Sequence, residues 1–321
     1  MTAQPLVTAI VANWNGAKDL EVCLPSLAAQ TYSPLEILVA DNASSDESES
    51  VAKSCGAKWL GLDRNYGLAG ALNRGAKAAQ GEYVLFLNND MRFSADFVER
   101  MADTMSRDST IFSVDAMQFD WNGERKVHLA TSLATARSGE FDDELAPGLF
   151  LHQFETAAAR PVLMSSAANM FARKNYFEML GGYDERLPVG AEDTELCWRA
   201  WLRGWKTMFE PNAICWHRVG QSTRSTEGSR FRFRGTLTGR LFISTKLLPA
   251  SYLMRVWANS IGGLAKDALR LKGSRVRDRL EVLTKYIGQM PRLSRERREI
   301  YRAAGITPGK QIERLKRIGD T

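Results

Sequence analysis

Gly81-Glu82-Tyr83-Val84-Leu85-Phe86-Leu87-Asn88-Asn89-Asp90 is the stretch whose reading decides the fold. Residues 83–87 are uninterrupted apolar, rich in aromatic and β-branched types, as in a strand buried on both faces of a parallel sheet, and small polar residues follow at once. In open α/β sheets ligands bind beyond the carboxyl ends of strands, so an Asn-Asn-Asp emerging there presents amides and one carboxylate to a crevice. A strand closed by an ordinary polar turn is the plainer reading, since Asn and Asp favour turns for local hydrogen-bonding reasons. The flanking sequence decides between them.

Upstream, residues 6–12 read as a buried strand ended by Asn13-Trp14-Asn15-Gly16. A helix over 18–30 follows, with Leu20, Leu24 and Leu27 at helical spacing, then a strand over 35–40. Asp41-Asn42-Ala43-Ser44-Ser45-Asp46 closes that strand, with Ser45 or Asp46 placed to cap the next helix. Residues 58–62 form a third strand and 68–79 an Ala-rich helix. Strands separated by helices imply a Rossmann-like α/β fold with a mostly parallel sheet flanked by helices. Its strand-ending loops, 13–15, 41–46, 64–67 and 88–90, then share one edge. There Asp41 suits a base N–H or ribose hydroxyl, Arg64 a phosphate, and Asp90 a hard cation bridging two phosphates, which together describe a nucleotide-diphosphate pocket. Neither Gly-x-Gly-x-x-Gly after the first strand nor a Gly-x-x-x-x-Gly-Lys-Ser/Thr loop is present, which argues against a dinucleotide oxidoreductase and a P-loop NTPase.

A chain of 321 residues, 44% of them hydrophobic, can bury a large core and exceeds the size at which one compact domain is assured. Its net charge of +6 hides an asymmetry of −9 over residues 1–220 and +15 over 221–321. A basic terminal third calls for an acidic partner. Cys23, Cys55, Cys197 and Cys215 lack zinc-site or disulfide-framework spacing. With no charged-then-apolar leader after Met1 and no apolar run long enough to span a bilayer, the expectation is a cytoplasmic protein.

Downstream of the decisive stretch, 94–105 reads as an amphipathic helix and 111–117 as a strand. Residues 118–160 lose periodicity and are assigned to the acceptor side. Residues 174–180 form a short helix. Glu192-Asp193-Thr194-Glu195 opens a helix reaching Leu202, an acidic first turn suited to the helix dipole, with Glu195 and Arg199 as an exposed i,i+4 pair. His217 follows a strand over 207–209 and a turn at Pro211-Asn212, and beside Trp216 it reads first as a structural histidine. His128 and His152 have no informative neighbours.

Val11-Ala12-Asn13-Trp14-Asn15, Asp41 to Asp46, Asn65-Tyr66-Gly67-Leu68-Ala69-Gly70 with Asn73, and Leu87-Asn88-Asn89-Asp90 resemble the successive motifs of family 2 glycosyltransferases with the GT-A fold, especially rhamnosyltransferase-like members. The resemblance continues through Gly181-Gly182-Tyr183-Asp184-Glu185, Glu192 to Arg199, His217, Gly220 and Ser222, covering roughly 6–225. It implies inverting transfer from a UDP-, dTDP- or GDP-linked sugar to a saccharide or lipid-linked saccharide, with Mg²⁺ or Mn²⁺. Donor contacts would fall to Asn13, Asn15, Asp41, Arg64, Asn65, Asn88 and Asn89. Asp90 would bind the metal and His217 the metal or the diphosphate, and phosphate neutralisation would fall to Arg218 or Arg224. Asp193 would be the general base, with Glu192 supporting it or binding acceptor hydroxyls. Asn88 stands where the family usually has Asp, so one carboxylate would hold the metal.

These readings divide the chain into a catalytic domain over 1–225, with donor and acceptor halves meeting near 117, and a basic helical extension over 226–321. Amphipathic basic helices suit the headgroup region of an anionic membrane, and equally a packed appendage with a solvated basic side. Basic tails in rhamnosyltransferase-like relatives favour the former, at the inner face of the cell membrane. The alternative is a non-catalytic protein binding nucleotide sugar or nucleic acid. Phe231-Arg232-Phe233-Arg234 alone interleaves aromatic and basic residues, which argues against nucleic acid, and Asp90 and Asp193 are both retained, which favours the enzyme.

Overall fold

The structure, a computed structural model, describes residues 4–135, 143–218 and 226–319. Strands β1 (Val7–Asn13), β2 (Leu35–Asp41), β3 (Lys58–Gly61) and β4 (Tyr83–Asn88) alternate with helices α1 (Ala17–Ala28), α2 (Ser48–Ser54) and α3 (Gly67–Ala78), as the apolar runs and helical spacing predict. β1 pairs in parallel with β2 and β4, and β2 with β3. Tyr83 to Leu87 are all buried. Tyr83, Leu85 and Leu87 lie in a core with Val7, Ala9 and Val11 of β1 and Leu20, Leu24 and Leu27 of α1.

The chain then reverses through β5 (Met91–Phe93), α4 (Phe97–Ser106), β6 (Ile111–Asp120) and β7 (Lys126–His128), the last pairing back on β6. β8 (Ala130–Ala134), β9 (Asp143–Ala146) and β10 (Leu149–Phe154) make a separate sheet in the order β8-β10-β9. The stretch read as irregular over 118–160 thus holds several strands. They are three to six residues long, too short for alternation to declare itself.

β11 (Arg160–Val162), β12 (Phe171–Arg173), α5 (Lys174–Met179), α6 (Glu192–Leu202) and β13 (Lys206–His217) complete the large sheet, ordered β11-β13-β6-β12-β4-β1-β2-β3. β12 runs antiparallel to both β4 and β6, and β13 runs parallel to β6. The carboxyl ends of β1, β2, β4, β6 and β13 therefore share one edge. The strand expected over 207–209 does not stop at Pro211. It shifts register between Glu210 and Ile214 and continues to His217, the proline lying in a bulge where its missing N–H breaks no ladder.

Contacts divide the chain into two compact units. Met1–Ala130, Phe154–Glu185 and Glu192–Val219 form the first, and Thr131–Gln153, Arg186–Ala191 and Gly220–Thr321 the second. Two segments upstream of residue 225 thus group with the C-terminal helices rather than with the large sheet. Those helices are α7 (Thr226–Lys246), α8 (Ala250–Leu269), α9 (Gly273–Ala304) and α10 (Pro308–Lys316). Tyr286 centres their packing, its ring against Phe242 and Trp257 and its hydroxyl 2.5 Å from Thr245 Oγ1. Asp278, Glu281 and Asp267 are spent on Arg230, Arg234 and Arg279 within the same unit. Among the described residues no helix is long and apolar enough to cross a membrane.

Candidate active site

The sheet edge of the first unit brings most of the expected donor residues together. Asn13 is 2% exposed and shares out its amide: Nδ2 donates to Asp41 Oδ1 (2.8 Å) and Ser44 Oγ (3.3 Å), while Oδ1 accepts from Asn89 Nδ2 (2.7 Å). A donor facing one way and an acceptor the other is what asparagine supplies and aspartate does not. Asp41, equally buried, accepts from Ser44 N at 2.8 Å and Ser44 Oγ at 2.5 Å. Asn15 takes the left-handed backbone that asparagine tolerates and accepts from Ser45 N at 2.8 Å. Gly16 has a steric cause: a Cβ there would lie 2.0 Å from Asn89 Nδ2 and 2.6 Å from Asn13 Oδ1.

Asp90 meets His217 because the chain reverses after β4 and β5 pairs antiparallel with the end of β13, setting Met91 opposite His217. Asp90 Oδ1 lies 3.1 Å from His217 Nε2. The other ring nitrogen, Nδ1, faces Gln118 Oε1 at 3.2 Å. That oxygen only accepts, so Nδ1 carries the hydrogen, and in the neutral ring Nε2 presents a lone pair. Asn88 Nδ2, a donor, lies 3.4 Å from Nε2, in keeping with this tautomer. A lone pair held against a carboxylate oxygen calls for a positive charge between them, a proton on Nε2 or a metal ion. An oxygen and a nitrogen 3.1 Å apart also match the edge of an octahedron, about 3 Å when metal–ligand distances are about 2.1 Å. The pair therefore fits two adjacent positions on a divalent ion. Among the described residues no group of three His, Cys, Asp or Glu gathers as a metal site.

The remaining expected residues have contacts of their own. Arg64 and Asn65 lie exposed on the loop after β3, the Arg64 guanidinium 4.6 Å from the Tyr66 ring and Asn65 Oδ1 accepting from Gly67 N. Arg218 is engaged: its Nη1 donates to Asp19 at 2.6 Å, its guanidinium lies 4.0 Å from the Trp121 ring, and its amide donates to Asp90 O. Arg224, Gly220 and Ser222 fall outside the described residues.

Two of the motif segments serve as framework. Asn73 exchanges two 2.9 Å hydrogen bonds with the Tyr183 backbone. Arg199 donates to the carbonyls of Leu180 and Gly182 as well as to Glu195. Gly182, at φ +73°, leaves room for Asn73 Oδ1, which a Cβ would meet at 2.6 Å. The Glu195–Arg199 pair is not the exposed pair expected. Its side chains are 1% and 11% exposed, and helical spacing does not tell which face of α6 is covered.

Glu192 and Asp193 begin α6 and are buried. Asp193 Oδ1 accepts from Thr194 N at 2.7 Å and Oδ2 from Ala167 N at 3.4 Å. Burial pushes its carboxyl above the usual range, against the pull of those amides and of the His128 charge. Reading the sequence alone missed the groups beside it. Asp115, wholly buried on β6, bonds His128 Nε2 at 2.7 Å. One signal was available: a lone carboxylate within the apolar run 111–117 has to have a partner.

The sequence profile described as "Glycosyl transferase family 2" matches residues 8–170, just over half of the chain. The chain belongs to glycosyl transferase family 2. Its relatives include poly-β-1,6-N-acetyl-D-glucosamine synthase of Staphylococcus aureus, 24% identical over 71% of this chain and 53% of that protein. The matches span from about a third to about half of the length of these curated relatives. Among solved structures, S. aureus TarS 1–349 in complex with UDP superposes with TM-score 0.56 at 18% identity, covering 98% of this chain and 90% of that one. The mannosyltransferase PcManGT from Pyrobaculum calidifontis, in complex with GDP-Man and Mn²⁺, gives 0.53 at 18%, covering 95% and 87%. These likenesses establish the GT-A fold for this family 2 chain.

Proposed function

We propose that this family 2 chain transfers a hexose, rhamnose or another, from a nucleotide-diphosphate donor to a hydroxyl of a saccharide or lipid-linked saccharide acceptor, with inversion at the anomeric carbon. One observation carries the reading: Asp90 and His217 are brought together at 3.1 Å by strand pairing on the edge where open sheets bind ligands. The complexes of TarS with UDP and of PcManGT with GDP-Man and Mn²⁺ support it.

In this reading Asn13, Asn15, Asp41 and Asn89 shape the nucleotide side, with Arg64 and Asn65 at its rim. Asn88 orients the ribose beside Asp90. Asp90 and His217 hold a divalent cation, Mg²⁺ or Mn²⁺, whose bound charge would offset the negative charge gathering on the departing diphosphate. Asp193, supported by Glu192, takes the acceptor hydroxyl's proton as the new bond forms on the face opposite the leaving group. A polysaccharide synthase among the relatives suits a product at the cell surface. Calorimetric titration with UDP, dTDP and GDP, each with Mn²⁺ or Mg²⁺ and with EDTA, tests the pocket. One nucleotide should bind at least about tenfold more tightly with metal, and if none binds under any condition the reading fails.

A lipid-linked acceptor would place the enzyme at an anionic leaflet, and α8 supports this. Met254, Ala258, Ile261, Ala265 and Leu269 recur on one exposed face, with Arg255, Lys266, Arg270 and Lys272 also exposed. Met254, Ile261 and Leu269 are 71%, 59% and 86% exposed. Burying such side chains contributes about 1.5–3 kcal/mol each, and each basic residue near the surface about 1 kcal/mol. The protein should co-sediment with phosphatidylglycerol vesicles and not with phosphatidylcholine ones. Replacing Met254, Ile261 and Leu269 together by Glu should release it, and undiminished sedimentation would remove α8 from the argument.

A further inference from the structure

Asp115 and Asp193 are interior carboxylates of the first unit, 0% and 5% exposed, and they hang from consecutive amides. Ser166 N donates to Asp115 Oδ1 at 3.2 Å and Ala167 N to Asp193 Oδ2 at 3.4 Å. Two carboxylates on neighbouring peptide units in an interior do not both ionise unless a cation compensates them. The titratable groups around Asp193 come from several elements: Asp115 on β6, His128 on β7, Glu192 and Cys197 on α6, and Tyr183 in the turn after α5. Burial, with the Asp193 charge adding, pushes the Cys197 thiol up to about 12 and the Tyr183 phenol well above its ordinary value, so neither bears on the balance near neutral pH. His128 is the group in this set able to carry a positive charge, and its Nε2 sits 2.7 Å from Asp115 Oδ2.

We propose that His128, protonated and seated on Asp115, is the counter-charge that keeps Asp193 a carboxylate in its buried position, ready to receive the acceptor's proton. The proposal rests on the reading of Asp193 as the base and gives that base a positioning residue. In the transfer step the acceptor O–H proton passes to Asp193 as the acceptor oxygen bonds the anomeric carbon and the bond from that carbon to the diphosphate oxygen breaks. His128 exchanges no proton there and contributes charge. Its own state agrees: burial, the largest single influence, would lower its pKa, but the charge and hydrogen bond of Asp115 together with the charge of Asp193 outweigh it, and the imidazole is held above its ordinary value.

Coupling between two titrating groups is reciprocal, so it can be read on the histidine. The chain has three histidines, which makes ¹⁵N-imidazole NMR of the full chain tractable. His128→Gln assigns the His128 signal, and His152→Gln with His217→Gln assigns it by elimination should the first variant not fold. In the unsubstituted protein the His128 midpoint should lie above the ordinary imidazole value of about 6.5. In Asp193→Asn its midpoint should fall by about one unit or more, as expected when a nearby opposite charge is removed. A His128 midpoint at or below the ordinary value of about 6.5, or the same midpoint in both proteins, overturns the proposal. Turnover of Asp193→Asn, measured alongside, separates the two claims. Surviving turnover sinks the base and leaves the coupling standing, whereas lost turnover with an unmoved His128 midpoint sinks the coupling and spares the base.

Discussion

At the carboxyl edge of the sheet, asparagine amides bond one another and the Asp41 carboxylate. Asn13 bonds Asp41 and Asn89, and Asn88 lies against His217. Around Asp193 the same first unit does the opposite, packing two carboxylates and a histidine into the interior with backbone amides as their main neutral partners. A neutral hydrogen bond contributes about 1 kcal/mol net and one to a charged group about 1.5–3 kcal/mol, so the edge should survive the loss of one amide with graded effects. Breaking a buried charge set leaves an uncompensated charge, a cost of about 3–5 kcal/mol. On the proposed reading the difference is a division of labour, with an adjustable edge for a donor that must enter and leave, and a rigid, electrostatically set pocket for proton transfer.

The sharpest way to break that comparison is Asp193→Asn. Turnover should fall by about 10³-fold or more, within the range positioned acid–base groups contribute, while nucleotide binding stays as it was. Stability should move the other way. The Asp193 carboxyl sits above its ordinary value in the folded chain because burial penalises its charge. The folded state therefore binds this proton more tightly than the unfolded one, and the advantage is lost as pH rises from about 4, the unfolded value, through the raised folded value. Denaturant titrations at pH 4 and pH 8 should show the variant gaining on the original protein towards pH 8. A gap that does not change with pH would mean that Asp193 is not a strained carboxylate.

Asp90→Asn tests the other region and should produce the next largest effect. The side chain keeps its shape and loses its charge. The metal-dependent part of nucleotide affinity should drop by about 100-fold, the upper end of what even indirect disturbance of a metal site costs, and affinity in EDTA should not change. Equal losses with and without metal would make Asp90 a direct donor contact and leave His217 without a cation to share.

The two regions also differ in how far they can be read from the chain. The donor edge is written in short polar runs, each ending a strand: Asn13 to Asn15, Asp41 to Asp46, Asn88 to Asp90. A buried strand has to end in such a run, so parallel topology alone brings them together, and the period of the apolar residues reveals it. The Asp193 pocket is drawn from β6, β7, the loop before β12 and the start of α6. Asp115, His128 and Ala167 belong to no run or spacing, and their meeting depends on the β6–β7 register that pairs Gln118 with His128. The sequence marked 118–160 as irregular for the same reason, since three-residue strands such as β7 carry too few residues to show a period. Glu195 and Arg199 make the point on a helix, where i,i+4 spacing foretold the pair but not its burial. His217 lies between the two cases: it ends a strand, but that strand passes through a proline bulge that looked like a turn.

Gln118 is where the comparison is finest, because its backbone pairs with His128 while its side chain serves His217. It is 3% exposed, and its Oε1 faces the Nδ1 of His217 at 3.2 Å. That contact selects the tautomer with the hydrogen on Nδ1 and leaves Nε2 free to bind a cation beside Asp90. In Gln118→Leu the acceptor is gone, the hydrogen can move to Nε2, and the ring can then donate to Asp90 directly, closing the pair with a hydrogen bond. Metal affinity should fall by about tenfold, the lower end of what losing an outer partner of a ligating histidine costs. Turnover at saturating metal should change little, because the base pocket does not use this side chain. An unchanged Mn²⁺ titration would show that His217 does not depend on Gln118 for its orientation. A loss of turnover that excess metal does not restore would show that β6 transmits strain from the edge to Asp115, and that the two regions are one.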